Sequence, residues 1–138
     1  MSIPLFYLRG SVYLVKYIGF KNPDEEILKF AVCLQQGSIV EKRRRFVGIL
    51  TTSCKDNSQP KEFPWTVYIS PAESHAEFGV IANCGEIHTF LTKDVVDGPK
   101  YTLSPDTMQK IDKALQFGVG WLNIEELKKQ QQTRSERP

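Results

Sequence analysis

Along the chain, short apolar runs rich in Val, Ile, Leu and aromatic residues alternate with turn-forming clusters, and the period of the pattern changes once, near Leu103. The first run, Ser11 to Ile18 (SVYLVKYI), lies between Gly10 and Gly19 and has the composition of a strand bounded by turns. Asn22, Pro23 and Asp24 interrupt it, and a second strand is expected in KFAVCLQ, from Lys29 to Gln35. A polar connector, Gln36 to Lys42, leads to a third, Phe46 to Thr52, apolar enough to be buried on nearly both faces. Lys55 to Pro64 collects Asp56, Asn57, Ser58, Pro60 and Pro64 and reads as an exposed loop. Apolar character returns in WTVYI, from Trp65 to Ile69, turns at Ser70-Pro71, and runs again from Phe78 to Phe90, where Gly85 predicts a bulge or a close backbone approach. Five or six short strands follow from this pattern.

After Leu103 the period becomes helical. Ser104 reads as an N-cap with Pro105 in the first helical position, Asp106 suits the positive end of the helix dipole, and Met108, Ile111, Leu115 and Val119 share one face. Gly118 and Gly120 are expected to end the helix, Trp121 to Leu127 to add a further turn, and KKQQQTRSERP at the end is too polar to fold. The expected organisation is one domain over residues 1–125 and an unfolded polar tail over 126–138. Short strands with a single packed helix cannot cover a large flat sheet, so a mainly β architecture is predicted: a small, strongly curved antiparallel barrel with a C-terminal helix.

Composition narrows the chemistry more than the fold. With 138 residues, 41% hydrophobic and 25% charged, the chain can bury a core, and a formal charge of +2 is far from that of a bulk nucleic-acid coating protein. Three dispersed cysteines, Cys33, Cys54 and Cys84, give no C-x-x-C spacing and are read as reduced core fillers. No apolar run approaches the roughly 20 residues of a membrane span, and Met1 to Leu8 is short and uncharged, so a soluble cytoplasmic protein with no membrane association is expected. The phosphate-loop, dinucleotide, zinc-protease and nucleophile-elbow motifs are absent. Two separated histidines, His75 and His88, and scattered cysteines do not suit a metal centre, and no metal or cofactor is expected.

Two groups remain as candidates on residue type alone. Lys42, Arg43, Arg44 and Arg45 end the connector and enter the third strand, where guanidinium groups at a rim could meet phosphates; the same run also serves as a solvated edge that discourages strand pairing. Thr51-Thr52-Ser53 closes an apolar strand where hydroxyls can leave the core and face a groove.

Taken in order, Arg9-Gly10-x-Val12-Tyr13, the strand ending in Gln35, Ile49-Leu50-Thr51-Thr52, Trp65-Thr66-Val67-Tyr68-Ile69, the run Val80 to Thr89, and Leu103-Ser104-Pro105 with Met108, Ile111, Asp112 and Leu115 resemble the MazF/PemK family of toxin endoribonucleases across residues 9 to 119. The resemblance implies an SH3-like barrel of the CcdB/PemK type. It further implies a homodimer that binds single-stranded RNA in a groove across two subunits, cleavage without metal, and inactivation by an acidic, partly disordered antitoxin. A catalytically weakened barrel that binds RNA or, like the gyrase-poisoning toxins of this fold, a protein target is the alternative, with a bland SH3-like interaction module as the third possibility.

Residue roles follow from the same resemblance. Cleavage requires the ribose 2′-hydroxyl to lose a proton and attack phosphorus, the phosphorane charge to be neutralised, and the 5′-oxygen to gain a proton. The family's strand-head arginine is replaced by Lys29, followed by Phe30 where proline is usual, and its threonine corresponds to Thr51, with Thr52 one residue further. A basic and an acidic position map to Asn83 and Gly85. Glu86 is the neighbouring acid, reaching the same side only through a bulge at Gly85. His88 stands where many relatives carry arginine, and imidazole as a residue type suits proton transfer. The expected site is therefore Thr51, Lys29, Glu86 and His88 for catalysis, with Thr52, Arg43, Arg44, Arg45 and Asn83 contacting RNA and Thr51 beside Lys29 at the scissile phosphate.

Overall fold

A computed structural model of the chain describes residues 7–18, 24–54 and 62–120. Within them, β1 (Ser11–Ile18) and β2 (Glu26–Cys33) are followed by a short helix α1 (Gly37–Arg43), then β3 (Arg45–Ser53), β4 (Thr66–Ile69), a four-residue helix α2 (Pro71–Ser74), β5 (Val80–Asn83), β6 (His88–Leu91), β7 (Val95–Thr102) and α3 (Pro105–Gly118). The expected turn over 121–127 and the tail over 126–138 lie outside the described residues, as do most of the loop after Cys54 and the first two residues of the Asn22-Pro23-Asp24 turn.

All ladders are antiparallel, in the order β4-β5-β3-β2-β1-β7, with β6 also on β3. The barrel expected from the sequence is not closed: β4 and β7 end the path and no ladder joins them among the described residues. The cause lies in β7, which follows β1 through two register shifts and pairs no further than Val15, leaving the last turn of the strand's path without a β7 partner. On the other side of the sheet, β5 and β6 share one edge of β3. Thr51 pairs with Ala82, whereas Gly48 pairs with His88, so the register slips by three residues across the Cys84–Ile87 segment. The expectation of an irregularity at Gly85 holds, and a Cβ there would lie 2.9 Å from Trp65 Cδ1.

Alternation along the strands divides the core in two. One face carries Val12, Val32, Ile49, Val67, Ile69 and Ala82, covered by Met108, Ile111 and Ala114 of α3. The other carries Tyr13, Val15, Ala31, Cys33, Phe46, Phe90 and Val95, joined by Val40 of α1 and Tyr7. Phe46 is central to this second cluster, with ring centroids 5.3 to 5.9 Å from Phe90, Tyr7 and Tyr13. Cys33 and Cys84 are fully buried fillers of these two cores, and burial, with Asp112 adding to it, pushes the Cys84 thiol up to about 12.

The helix begins as expected, with Ser104 Oγ accepting from Thr107 N and Pro105 in the first turn. Its last residue, Gly118, comes so close to the Cys84 carbonyl that a side chain there would collide with backbone. Val119, expected on the buried stripe, is instead 60% exposed because the helix has ended before it. Two elements depart from expectation. The polar connector is helical because Val40 anchors it in the second core and Lys42 and Arg43 sit in its last turn, where cations suit the negative end of the dipole. The strand β7 went unforeseen because it holds Asp97, Gly98 and Pro99, which only an edge strand tolerates.

The cap of α3 is tied to α2 through Glu73, whose carboxylate accepts from Ser104 N at 2.7 Å and Thr107 Oγ1 at 2.8 Å. Partial burial pushes this carboxyl up, but those hydrogen bonds to its charged form outweigh burial, and the net shift is downward. A carboxyl that titrates lower when folded contributes stability above its unfolded pKa and loses it as pH falls through the folded value. Glu73→Gln is therefore expected to cost about 1–2 kcal/mol near neutral pH in urea denaturation. The difference from the parent should shrink steadily below the ordinary carboxylate range, whereas a cost independent of pH would contradict the assignment.

Candidate functional site

The ladder between β2 and β3 determines which hydroxyl stands beside Lys29. Ala31 pairs with Leu50 and Val32 with Ile49, so the same register carried on places Phe30 beside Thr51 and Lys29 beside Thr52. The hydrogen bond from Thr51 Oγ1 to the Phe30 carbonyl, 3.3 Å, agrees with this register. Because partners across a ladder share a face and neighbours along a strand do not, Lys29 and Thr52 continue the face of Ala31 and Leu50, while Thr51 continues the helix-covered face of Ile49. Thr51 is 5% exposed, and its register partner on β5, Ala82, is fully buried. The expected pairing of Thr51 with Lys29 is thus not what the fold provides: the two lie on opposite faces of the sheet, and the accessible hydroxyl beside Lys29 is that of Thr52.

The same face gathers other predicted residues at the mouth of the second core, beyond the layer of Tyr13, Val15, Ala31 and Phe90. On β1, two residues past Val15, Tyr17 packs against the core. On β6, His88 precedes Phe90 by two and stands opposite Gly48, whose missing side chain leaves it room. The His88 ring meets Tyr17 edge-on, with centroids 5.4 Å apart. On β5, Asn83 follows Ile81, the register partner of Thr52, by two and faces the same way. Its Oδ1 accepts from Gly85 N at 3.0 Å, which shapes the turn carrying Glu86.

The register slip brings Glu86 to His88, with Oε2 3.4 Å from Nε2. That nitrogen is buried and has no aligned hydrogen bond among the described residues, so the carboxylate supports it by charge when the ring is protonated. Alongside lies a cleft of about 390 Å³, lined by Lys16, Tyr17, Glu26, His88 and Asp94 among others, where β1 and β6 approach without a ladder between them. Lys29, Thr52, Asn83, Glu86 and His88 therefore converge from four strands and one turn. Tyr17 and Leu50 belong to the same wall. Sequence reading passed over them, although the alternation Tyr13, Val15, Tyr17 in β1 carries the signal.

The basic run is placed elsewhere. Arg43 closes α1, Arg44 adopts a left-handed conformation with φ of 56°, and Arg45 opens β3. Arg45 is seven residues from Thr52, about 23 Å of extended strand. Among the described residues no three His, Cys, Asp or Glu side chains gather as a metal-holding group, and no helix is long and apolar enough to cross a membrane.

No protein-family model and no curated protein matches the chain. Solved structures do. An endoribonuclease in complex with its cognate antitoxin, from a mycobacterial species, superposes with a TM-score of 0.65 at 21% identity, covering 85% of this chain and 98% of its own. A second mycobacterial endoribonuclease gives 0.62 at 22% identity, covering 87% and 94%. A MazE–MazF structure from Deinococcus radiodurans gives 0.65 at 10% identity, covering 86% and 98%. At these identities the likeness is one of architecture: the bent antiparallel sheet with its C-terminal helix is the fold of the MazF-type toxins.

Proposed function

We propose that the chain is a toxin-type endoribonuclease that cuts single-stranded RNA without metal, acts as a homodimer in the cytoplasm and is neutralised by an acidic antitoxin. The fold shared with proteins described as endoribonucleases, one with a cognate antitoxin, supports the class. The observation that carries the reading for this chain is the in-register placement of Lys29 beside Thr52, open to solvent, on the face that also presents His88. Exposed Leu28 and Phe30 on the neighbouring positions of β2 offer a second copy an apolar surface.

In this reading the Lys29 ammonium and the Thr52 hydroxyl hold the non-bridging oxygens of the scissile phosphate. Preorganised donors of this kind act where charge develops in the phosphorane. The 2′-oxygen gives up its proton and bonds to phosphorus, and the bond from phosphorus to the 5′-oxygen breaks. That oxygen takes a proton, leaving a 2′,3′-cyclic phosphate and a 5′-hydroxyl. His88 moves one of these protons, and Glu86 holds the imidazole and steadies its charged form. Asn83 contacts the RNA while keeping its turn in shape.

The test uses purified full chain, single-stranded RNA and EDTA. Thr52→Ala and Lys29→Ala are each expected to slow cleavage by about 10²–10³-fold, the usual cost of one oxyanion donor. Thr51→Val should cut at close to the parental rate, with a loss of about 1 kcal/mol in stability from its hydrogen bond to Phe30. If Thr51→Val abolishes cleavage while Thr52→Ala does not, the site is wrong. If the parent binds RNA and leaves it intact, the weakened binding module replaces the enzyme.

His88 generates a separate expectation. His88→Asn should lower kcat and remove one limb of the bell-shaped pH–rate profile. A profile of unchanged shape would assign the ring a packing role against Tyr17.

A further inference from the structure

At the far end of β3, Arg43 and Arg45 line a cleft of about 540 Å³ together with Gln35, Ile39, Val47 and Thr89. The backbone selects these two arginines from the basic run: the left-handed turn at Arg44 separates them, and Arg44 does not line the cleft. The turn is held in place because the Arg44 carbonyl accepts from both Thr92 N, at 3.1 Å, and Thr92 Oγ1, at 3.2 Å. Neither Arg43 nor Arg45 is ion-paired with an acid among the described residues, in contrast to Arg9, which is engaged by Asp112.

The remaining lining fits the same chemistry. Gln35 Oε1 accepts from Val47 N at 3.0 Å, which orients the carboxamide and leaves its NH₂ as donor. Thr89 adds a hydroxyl, while Ile39, exposed on α1, and Val47 provide an apolar floor. Donors around an apolar floor suit a phosphodiester with its base laid flat, and a guanidinium pair matches phosphate oxygens in bidentate fashion. Thr89 also lines the His88 cleft, so one continuous track crosses β6 from the mouth to the two arginines.

We propose that this cleft is an anchoring subsite for single-stranded RNA, which grips a phosphate a few nucleotides away from the one that is cut. The proposal rests on the RNA-cleaving reading and extends it, giving substrate length a structural origin. Long strands reach both the mouth and the arginines, whereas a very short oligonucleotide fills the mouth alone.

The experiment measures binding of a labelled single-stranded RNA to the full chain across a salt series, and cleavage of long and tetranucleotide substrates, in the parent, R43A/R45A, R43K/R45K and R44G. For R43A/R45A, the slope of log affinity against log salt should flatten by about 1.4, at about 0.7 per lost phosphate contact on a single strand. KM for long RNA should rise by about tenfold or more, with kcat on the tetranucleotide kept. R43K/R45K should keep the slope but bind more weakly, because charge remains and the planar fork is lost. The proposal is overturned if R44G flattens the slope as much as R43A/R45A, since general charge is then responsible. It is equally overturned if R43A/R45A binds RNA like the parent but loses a poly-glutamate peptide, since the cleft then takes an acidic protein segment. If no variant or parent cuts RNA while the slope change persists, the cleavage reading fails and the subsite stands.

Discussion

The antiparallel register of β2 on β3 is the constraint on which the rest depends. Side chains alternate with a period of two, so a slip of one residue would send Thr51 to the mouth and Thr52 into the core beneath α3. What prevents the slip is burial on both faces. Ile49 and Val32 fill one core, while Ala31, Cys33 and Phe46 fill the other, and a shift would force Thr52 and Lys29 into apolar surroundings. The large apolar clusters therefore do more than stabilise the sheet: they decide which of two adjacent hydroxyls meets solvent.

The same logic explains the open barrel. A sheet that closed fully around the Phe46 cluster would bury His88 and remove the gap between β1 and β6. Here the bulged β7 leaves β1 early, and the three-residue slip between β5 and β6 turns Glu86 towards the imidazole. Irregularities in the ladder thus position polar groups that a regular strand would direct elsewhere. Gly48 and Gly85 contribute by absence of side chain, the first opposite His88 and the second beneath Trp65.

Much of this was legible in the residues. The strands from Ser11, Phe46 and Thr66, the capped helix from Pro105 and the irregularity at Gly85 all follow from composition and punctuation. The helix at Gly37–Arg43 was not, since a single buried residue, Val40, makes no periodic signal in seven. Nor was β7, whose polar and proline-containing sequence contradicts strand propensity and is tolerated only at an edge. Closure of the sheet depends on non-local register that no window of sequence encodes. For the site, Lys29, Asn83, Glu86 and His88 were identified from local pattern, but Thr51-Thr52-Ser53 offers three consecutive hydroxyls, and only pairing across strands distinguishes their faces. The basic run showed the same limit: its charge was evident, yet the turn at Arg44 that divides it was not.

The most direct test of the central claim is methyl NMR of the labelled chain titrated with a single-stranded RNA in which the 2′-hydroxyl at the cleavage position is removed. The account predicts that the methyl groups of Thr52 and Leu50 shift on binding while those of Thr51 and Ala82 stay in place. Shifts centred on Thr51 and Ala82, with Thr52 silent, would contradict it.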